Sequence, residues 1–242
     1  MRPARLSVNL NKVALIRNGR GANYPDLVKV ALDCEKFGAQ GITIHPRPDQ
    51  RHARYDDVYA LKEVVQTELN IEGYPEGRFL EVVLETKPHQ VTLVPDAPGQ
   101  LTSDHGWDTV GRADFLKEIL APFKAAGIRT SLFVDPNERM IDGALAVGAD
   151  RIEFYTGPFA SQFSGDPARA VAPFTAACRY AASAGIGINA GHDLNLHNLT
   201  FFANNMPGLQ EVSIGHALVT DALYLGLKET IRQYLACLSA TT

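Results

Sequence analysis

Cysteine is scarce in this chain of 242 residues: Cys34, Cys178 and Cys237 are the only three. An odd number spread so far apart builds neither a disulfide framework nor a zinc spacing, which points to a reducing compartment. Cys34 and Cys178 fall in helical patterns and read as small core residues. No apolar run approaches the roughly 20 residues of a membrane span. The start, MRPARLSVNL, carries charge without the apolar stretch of a signal peptide. A soluble protein of the cytoplasm with no membrane partner is expected. An excess of positive charge is also missing. The 23 Lys and Arg stand against 27 Asp and Glu, a formal net charge of -4, so nucleic acid is excluded as the bulk partner. Neither HExxH nor His-x-His occurs among the seven histidines. His192 and Asp193 are adjacent and point apart unless a loop turns them, so no metal is expected. A glycine-rich phosphate turn is missing where the first strand ends, at Asn9-Leu10-Asn11-Lys12. That absence argues against an open doubly wound sheet and against a nucleotide cofactor.

What is present is an ordinary globular composition, 45% hydrophobic and 21% charged, enough for a full core. The chain is organised around GITIHPRPDQRH, Gly41–His52. Gly41–His45 has the make-up of a buried strand, and Arg47, Asp49, Arg51 and His52 follow at once. Cations do not suit a core, so His45 should end the strand and the cations should occupy the loop beyond, where they can hold an anion. With net charge negative overall, that anion should be small.

In chain order, the pattern predicts strands at Leu6–Leu10, Gly41–His45, 70–72, Gln90–Val94, Thr130–Asp135, Arg151–Tyr155, Gly187–Ala190 and Glu211–Ile214. Helices are expected from Pro25 to Phe37 and over Asp56–Leu69, Phe79–Thr86 and Phe115–Phe123, with Pro122 kinking or ending the last of these. Further helices are expected from Pro136 to Val147, over Pro167–Ala184 and Leu199–Asn205, and as one closing helix over Leu218–Leu238. Residues 11–20 read as a polar segment, and 96–112 as a long polar loop with a job to do. Repeats of roughly 30 residues match βα units. Glycine recurs before the strands, as in Gly38-Ala39 and Gly148-Ala149, and marks a repeated helix stop. Eight units fit one closed (β/α)8 barrel over residues 1–242, an α/β fold of about 250 residues.

In such barrels the site lies at the carboxyl ends of the strands. Polar residues stand at nearly every one: Asn9, His45, Glu72, Thr102, Asp135, Glu153, Thr156, Asn189, His192 and His216. Asp135 can be explained as a helix cap. His45 and Glu72 directly continue apolar strands, and together they can move protons between carbon and oxygen. Thr156-Gly157 and Gly215-His216 offer backbone N–H groups to a phosphate. Arg20 and the Arg47, Arg51, His52 group supply a second, side-chain route to an anion. Two anion sites fit one diphosphorylated ligand or two monophosphorylated ones.

These stretches resemble a known family, the pyridoxine 5'-phosphate synthases of the deoxyxylulose-dependent vitamin B6 route. The resemblance runs through VNLNKVALIRNGRG, GITIHPRPDQRH, NIE, ETKP, LVP, RIEFYTG, NAGHDLN and SIGHAL, nearly the whole chain. It implies a TIM barrel with extra helices, a homo-oligomer (an octamer) and no cofactor. It further implies condensation of 3-amino-2-oxopropyl phosphate with 1-deoxy-D-xylulose 5-phosphate to pyridoxine 5'-phosphate, phosphate and water. By the same resemblance His45, Glu72 and His192 transfer protons. Asn9, Arg20, Asp193, Gly215 and His216 hold the aminoketone phosphate, and Asn11, Lys12, Arg47, His52 and Thr102 the sugar phosphate. The chain departs from the family pattern at Asn11-Lys12, where Asp-His is usual, and at Asp193, where glycine is usual. A Schiff-base aldolase would want a lysine at a strand end, and only Lys12 lies near one. A non-catalytic phospholigand sensor leaves His45, Glu72 and His192 unexplained.

Overall fold

The computed structural model describes residues 3–96 and 103–239. Thr102, expected at the sugar phosphate, lies outside the described residues with the rest of 97–102. The chain runs β1 (Arg5–Asn9), α1 (Asn11–Asn18), α2 (Leu27–Lys36), β2 (Gly41–Ile44), α3 (Tyr55–Val64), β3 (Leu69–Gly73), α4 (Gly77–Thr86) and β4 (Gln90–Leu93). After the segment 94–112 come α5 (Ala113–Ala125), β5 (Arg129–Val134), α6 (Glu138–Ala146), β6 (Arg151–Tyr155), α7 (Gly157–Gln162) and α8 (Pro167–Ala184). The last part is β7 (Gly187–Gly191), α9 (Leu199–Asn204), β8 (Leu209–Ile214), α10 (His216–Leu225) and α11 (Leu227–Ser239). The strands close in sequence order, each parallel to the next, and β1 pairs with β8 to complete the ring. This is a (β/α)8 TIM barrel with extra helices.

Alternation explains what the strands do. Leu6 and Val8, Ile42 and Ile44, and Ile152 and Phe154 are fully buried against the helices. The intervening residues turn inward, and here they are polar. Ser7 and Thr43 share a hydrogen bond of 2.7 Å, Thr92 Oγ1 donates to Asn70 Oδ1 at 3.0 Å, and Ser213 Oγ reaches Glu72 Oε1 across the barrel at 3.5 Å. Most barrels fill this space with branched apolar side chains. These pairs satisfy part of the polar interior, while both Glu153 oxygens have no hydrogen-bond partner among the described residues.

Local rules set the helix boundaries. Asp26 caps α2 by accepting from Val28 N at 2.9 Å, and Asp166 caps α8 with Pro167 at its first position. The expected glycine stops occur: Gly148 and Gly185 both take φ +81°, a conformation that side chains with a Cβ disfavour. Around the outer wall Phe159 and Phe202 pack at 4.9 Å between α7, α8 and α9. Cys34 and Cys178 are fully buried, as expected.

Several expectations need correction. Residues 11–18 form a helix, because Val13, Ala14 and Arg17 make a buried stripe beneath the polar residues. The closing helix is two: Gly226, at φ +77°, separates α10 from α11. Asp135 does not cap α6; Asn137 does, accepting from Arg139 N at 2.9 Å. The predicted helix over Asp56–Leu69 stops at Val64, since Leu69 already pairs in β3. Pro122 falls in the final turn of α5, which runs on to Ala125. The short helix α7 follows Thr156 where only a turn was expected.

Arg17, read from sequence as one more cation near the strand end, is structural. Its side chain is 1% exposed and grips Asp57 of α3 through Nη1 at 2.5 Å and Nη2 at 2.9 Å. Removing one partner of such a pair strands the other in a dry site. Arg17→Met is expected to cost about 3–5 kcal/mol of unfolding free energy. Urea denaturation of the purified variant checks this, and an unchanged midpoint would contradict it.

Candidate active site

Three proton-carrying side chains meet at the carboxyl mouth of the barrel. Glu72 points inward from β3 and is 3% exposed. Asn9 Nδ2, at the end of β1, donates to Glu72 Oε2 at 3.2 Å, while Ser213 from β8 donates to Oε1. His45 follows β2 directly, with Nδ1 3.9 Å from Glu72 Oε2. Its backbone N–H donates to Asn11 Oδ1 at 2.9 Å, and Asn11 N donates to Asn9 Oδ1 at 3.0 Å. Asn9 and Asn11 thus form a clasp joining β1, β2 and β3 beneath the imidazole and carboxyl.

His192 arrives from the opposite wall by a sharp device. His192 and Asp193 both take left-handed backbone, φ +72° and +55°. Two such residues in succession turn the chain at the end of β7. Thr156 fastens the turn by donating its hydroxyl to the carbonyls of Gly191 and His192. Asn195 and Asn198 donate to the Asp193 carbonyl at 3.3 and 3.2 Å. The imidazole lies against Phe133, ring centres 4.9 Å apart, and edge-on to Tyr155 at 5.9 Å. Its Nδ1 is buried and has no hydrogen-bond partner among the described residues. Aspartate is among the few side chains that tolerate φ +55°, so a position where the family pattern has glycine accepts it.

Electrostatics make these groups reactive. Burial, then the charge of Asp96, pushes the Glu72 carboxyl up to about 7, against the pull of Arg47. Burial, followed by Arg47, drives His45 well below the usual imidazole value. His192 is also lowered by burial, with Asp193 and Asp96 opposing. Both imidazoles are therefore neutral at neutral pH, and the 3.9 Å contact of His45 with Glu72 is not an ion pair. A neutral imidazole beside a carboxyl poised near neutrality can both take and return protons.

The cations divide by role. Arg47 is 8% exposed and bound to Asp96, Nη2 to Oδ2 at 2.5 Å. Ser103 Oγ donates to the same oxygen at 2.8 Å. Arg51 pairs with Asp49 at 3.2 Å. His52 is held down to about 4 by burial and then by the charge of Lys12. Lys12, the charge that contributes to this lowering, stands in the first turn of α1. Arg20, just past α1, is exposed and makes no side-chain hydrogen bond or ion pair with the described residues. Its neighbour Asn18 donates to the backbone of Arg51 and His52, at 3.1 and 2.7 Å. Gly215 stands at the N-terminus of α10 against Asn9; an added Cβ there would lie 3.0 Å from the Asn9 Cβ. His216 opens the helix, exposed, and no side chain caps its first turn among the described residues, a geometry suited to an anion.

Part of the loop expected over 96–112 is fixed. Trp107 is buried, its Nε1 donating to Leu93 O at 2.9 Å and its ring stacked on Tyr74 at 5.8 Å. Sequence reasoning noted Glu153 at a strand end but left it out of the site. The structure buries it on the inner face of β6, with neither carboxyl oxygen hydrogen-bonded among the described residues and Oε1 packed against Gly191. Burial, and then Glu72, holds it well above the usual carboxyl range, which favours the protonated form, a hydrogen-bond donor. The signal was alternation: Arg151, Glu153 and Tyr155 alternate with Ile152 and Phe154.

The raised Glu72 value carries a stability consequence. The folded chain keeps this proton up to about pH 7, whereas an unfolded glutamate releases it near about 4.3. Stability from this group is therefore full below the unfolded value and lost as pH rises through about 7. Glu72→Gln removes that loss. Its unfolding free energy relative to the parent chain is expected to rise by roughly 2–4 kcal/mol between about pH 5 and pH 8. Denaturant titrations at both pH values check this, and a difference independent of pH would contradict it.

Known proteins resemble this chain over nearly its whole length. The family described as pyridoxal phosphate biosynthesis protein PdxJ matches residues 6–240. The pyridoxine 5'-phosphate synthase of Bacteroides fragilis is 61% identical over 234 residues, 97% of this chain and 99% of that one. The pyridoxine 5'-phosphate synthase of Cytophaga hutchinsonii is 59% identical over 231 residues, covering 96% and 97%. Among solved structures, the thiamine phosphate pyrophosphorylase of Pyrococcus furiosus superposes with TM-score 0.63 at 13% identity, over 98% of this chain and 96% of that one. At that identity the likeness speaks for the barrel alone. With nearly its whole length matched, the chain belongs to the PdxJ, or pyridoxine 5'-phosphate synthase, family.

Proposed function

We propose that the barrel mouth condenses 3-amino-2-oxopropyl phosphate with 1-deoxy-D-xylulose 5-phosphate to give pyridoxine 5'-phosphate, phosphate and water, by general acid/base catalysis. One observation carries the assignment of roles. A dehydrated carboxyl poised at about 7, Glu72, stands between two neutral buried imidazoles, one of them with an unpartnered ring nitrogen. The reaction needs this. The amine adds to a ketone, water leaves and an enamine forms; phosphate is then expelled, a carbon–carbon bond closes the ring, and a second net water leaves as the ring becomes aromatic. Every stage removes and returns protons, and no electrons leave the substrates. His45 and Glu72 act as the bases, and His192 returns protons from the opposite wall.

The two substrate phosphates occupy opposite sides of the mouth. The Gly215–His216 N-terminus, with Asn9, Asp193 N–H and Arg20, takes the aminoketone phosphate. Arg47, His52, Asn11, Lys12 and Thr102 take the sugar phosphate. Lys12 stands in the first turn of α1, not at a strand end, which disfavours a Schiff-base aldolase on the same barrel. Residues 1–242 act as one domain, in a cytoplasmic homo-oligomer, an octamer by family resemblance, without metal or cofactor. Incubating the purified chain with both substrates and following pyridoxine 5'-phosphate and phosphate release tests the reading; no product would overturn it.

Glu72→Gln keeps the shape and removes the base. Turnover is expected to fall at least about 100-fold with both ligands still bound; near-parental turnover would remove Glu72 from the mechanism. Lys12→Met keeps most of the stem and removes the charge that helps lower His52. It is expected to weaken the sugar phosphate by about 0.5–2 kcal/mol while leaving the aminoketone phosphate nearly unchanged. Separate titrations of the two ligands at fixed salt decide this, and an unchanged sugar-phosphate affinity would return Lys12 to the barrel rim.

A further inference from the structure

At the opposite end of the barrel, where the strands begin, lies a second cavity of about 810 Å³. Arg5 opens β1, Arg151 opens β6, and Leu209 opens β8; all three line it, a full strand length from the mouth. Arg179 of α8 completes the cationic side, and among the described residues no Asp or Glu lines the cavity. Met206 and Leu209, both buried, provide an apolar wall.

The charge here is not balanced locally. Glu68 serves Arg5, at 3.1 Å, and Arg129 together. Arg151 meets Glu211 only at 3.8 Å, and neither Glu211 oxygen is hydrogen-bonded among the described residues. Burial, then Glu68, pushes Glu211 up to about 8, so it is mostly protonated at neutral pH and neutralises little. Arg179 is exposed and has no ion pair with the described residues. Three guanidinium groups thus border a cavity with one shared carboxylate as counter-charge nearby. Guanidinium forks match phosphate oxygens two at a time, and the volume leaves room for an organic body against Met206 and Leu209.

We infer that this amino-terminal cavity is a second ligand site, separate from the mouth, that takes a small organic phosphate between Arg5, Arg151 and Arg179. The site also touches the barrel interior. Arg151 Nη1 donates to Asn189 Oδ1 at 3.2 Å, and Asn189 pairs in register with Glu153. An anion engaging Arg151 therefore acts on the layer just below the reacting groups.

Methionine provides a local reporter, since the chain has three and, among the described residues, only Met206 lines this cavity. With [13C-methyl]methionine in the full chain, inorganic phosphate added at constant ionic strength should shift the Met206 signal saturably and leave Met140 unmoved. Chloride at the same ionic strength should do neither. Pyridoxine 5'-phosphate should produce the same shift at lower concentration, because its ring adds apolar contact. Arg179→Glu, an exposed change outside the mouth, should weaken both titrations at least about tenfold while leaving turnover unchanged. Phosphate bound at the mouth does not confuse this reading, because Met206 lies at the other end. No saturable Met206 shift, an equal shift with chloride, or full affinity in Arg179→Glu would overturn the proposal. Weaker binding of pyridoxine 5'-phosphate than of inorganic phosphate would overturn the organic-phosphate class.

Discussion

Desolvation of the Glu72 carboxylate is the interaction on which the rest of the mouth depends. A carboxyl 3% exposed, with Asp96 adding negative charge nearby, resists ionisation until about pH 7. Arg47 would relieve it, but Asp96 engages that guanidinium at 2.5 Å. Asn9 and Ser213 hold the carboxyl in place through neutral donors, which orient a base without abolishing its basicity. The same burial that raises the carboxyl lowers both imidazoles. Near neutral pH the two imidazoles are therefore uncharged and the carboxyl is only about half ionised. On the function proposed above, two phosphate dianions entering such a site would raise the proton affinity of the groups around them, so substrate binding itself would favour the protonated acids that later steps require.

The fold delivers these groups by ordinary backbone rules. Period-two alternation sends Glu72 and Glu153 inward while their neighbours Ile71 and Phe154 face the helices. The Asn9–Asn11 clasp fixes the backbone of His45. The left-handed pair His192 and Asp193 turns an imidazole back over the barrel, and Thr156 holds that turn closed. Sites built on strand ends and pinned loops keep their geometry better than sites on free loops.

Much of this was legible in the sequence, because the relevant signals are local. The eight strands were visible as short Val- and Ile-rich runs, and His45, Glu72 and His192 stood out by continuing or following them. Other features depend on partners distant in sequence. Arg17 reads as a loop cation until Asp57, 40 residues on, is brought beside it. Arg47 reads as a free anion clamp until Asp96 meets it. Residues 11–18 read as polar because only Val13, Ala14 and Arg17 touch the core. The apolar pattern continues across Gly226, so only its φ of +77° shows the chain turning there. Glu153 reads as one more polar residue at a strand end until the barrel closes over it.

Infrared spectroscopy of the carboxyl stretch, with Glu72→Gln subtracted from the parent chain across a pH series, observes the proton on Glu72 itself. A protonated-carboxyl band lost with a midpoint at about 7, in the ligand-free protein, is the predicted result. A midpoint near the ordinary value of about 4.3 would show an already ionised glutamate and contradict the desolvated base at the centre of the account.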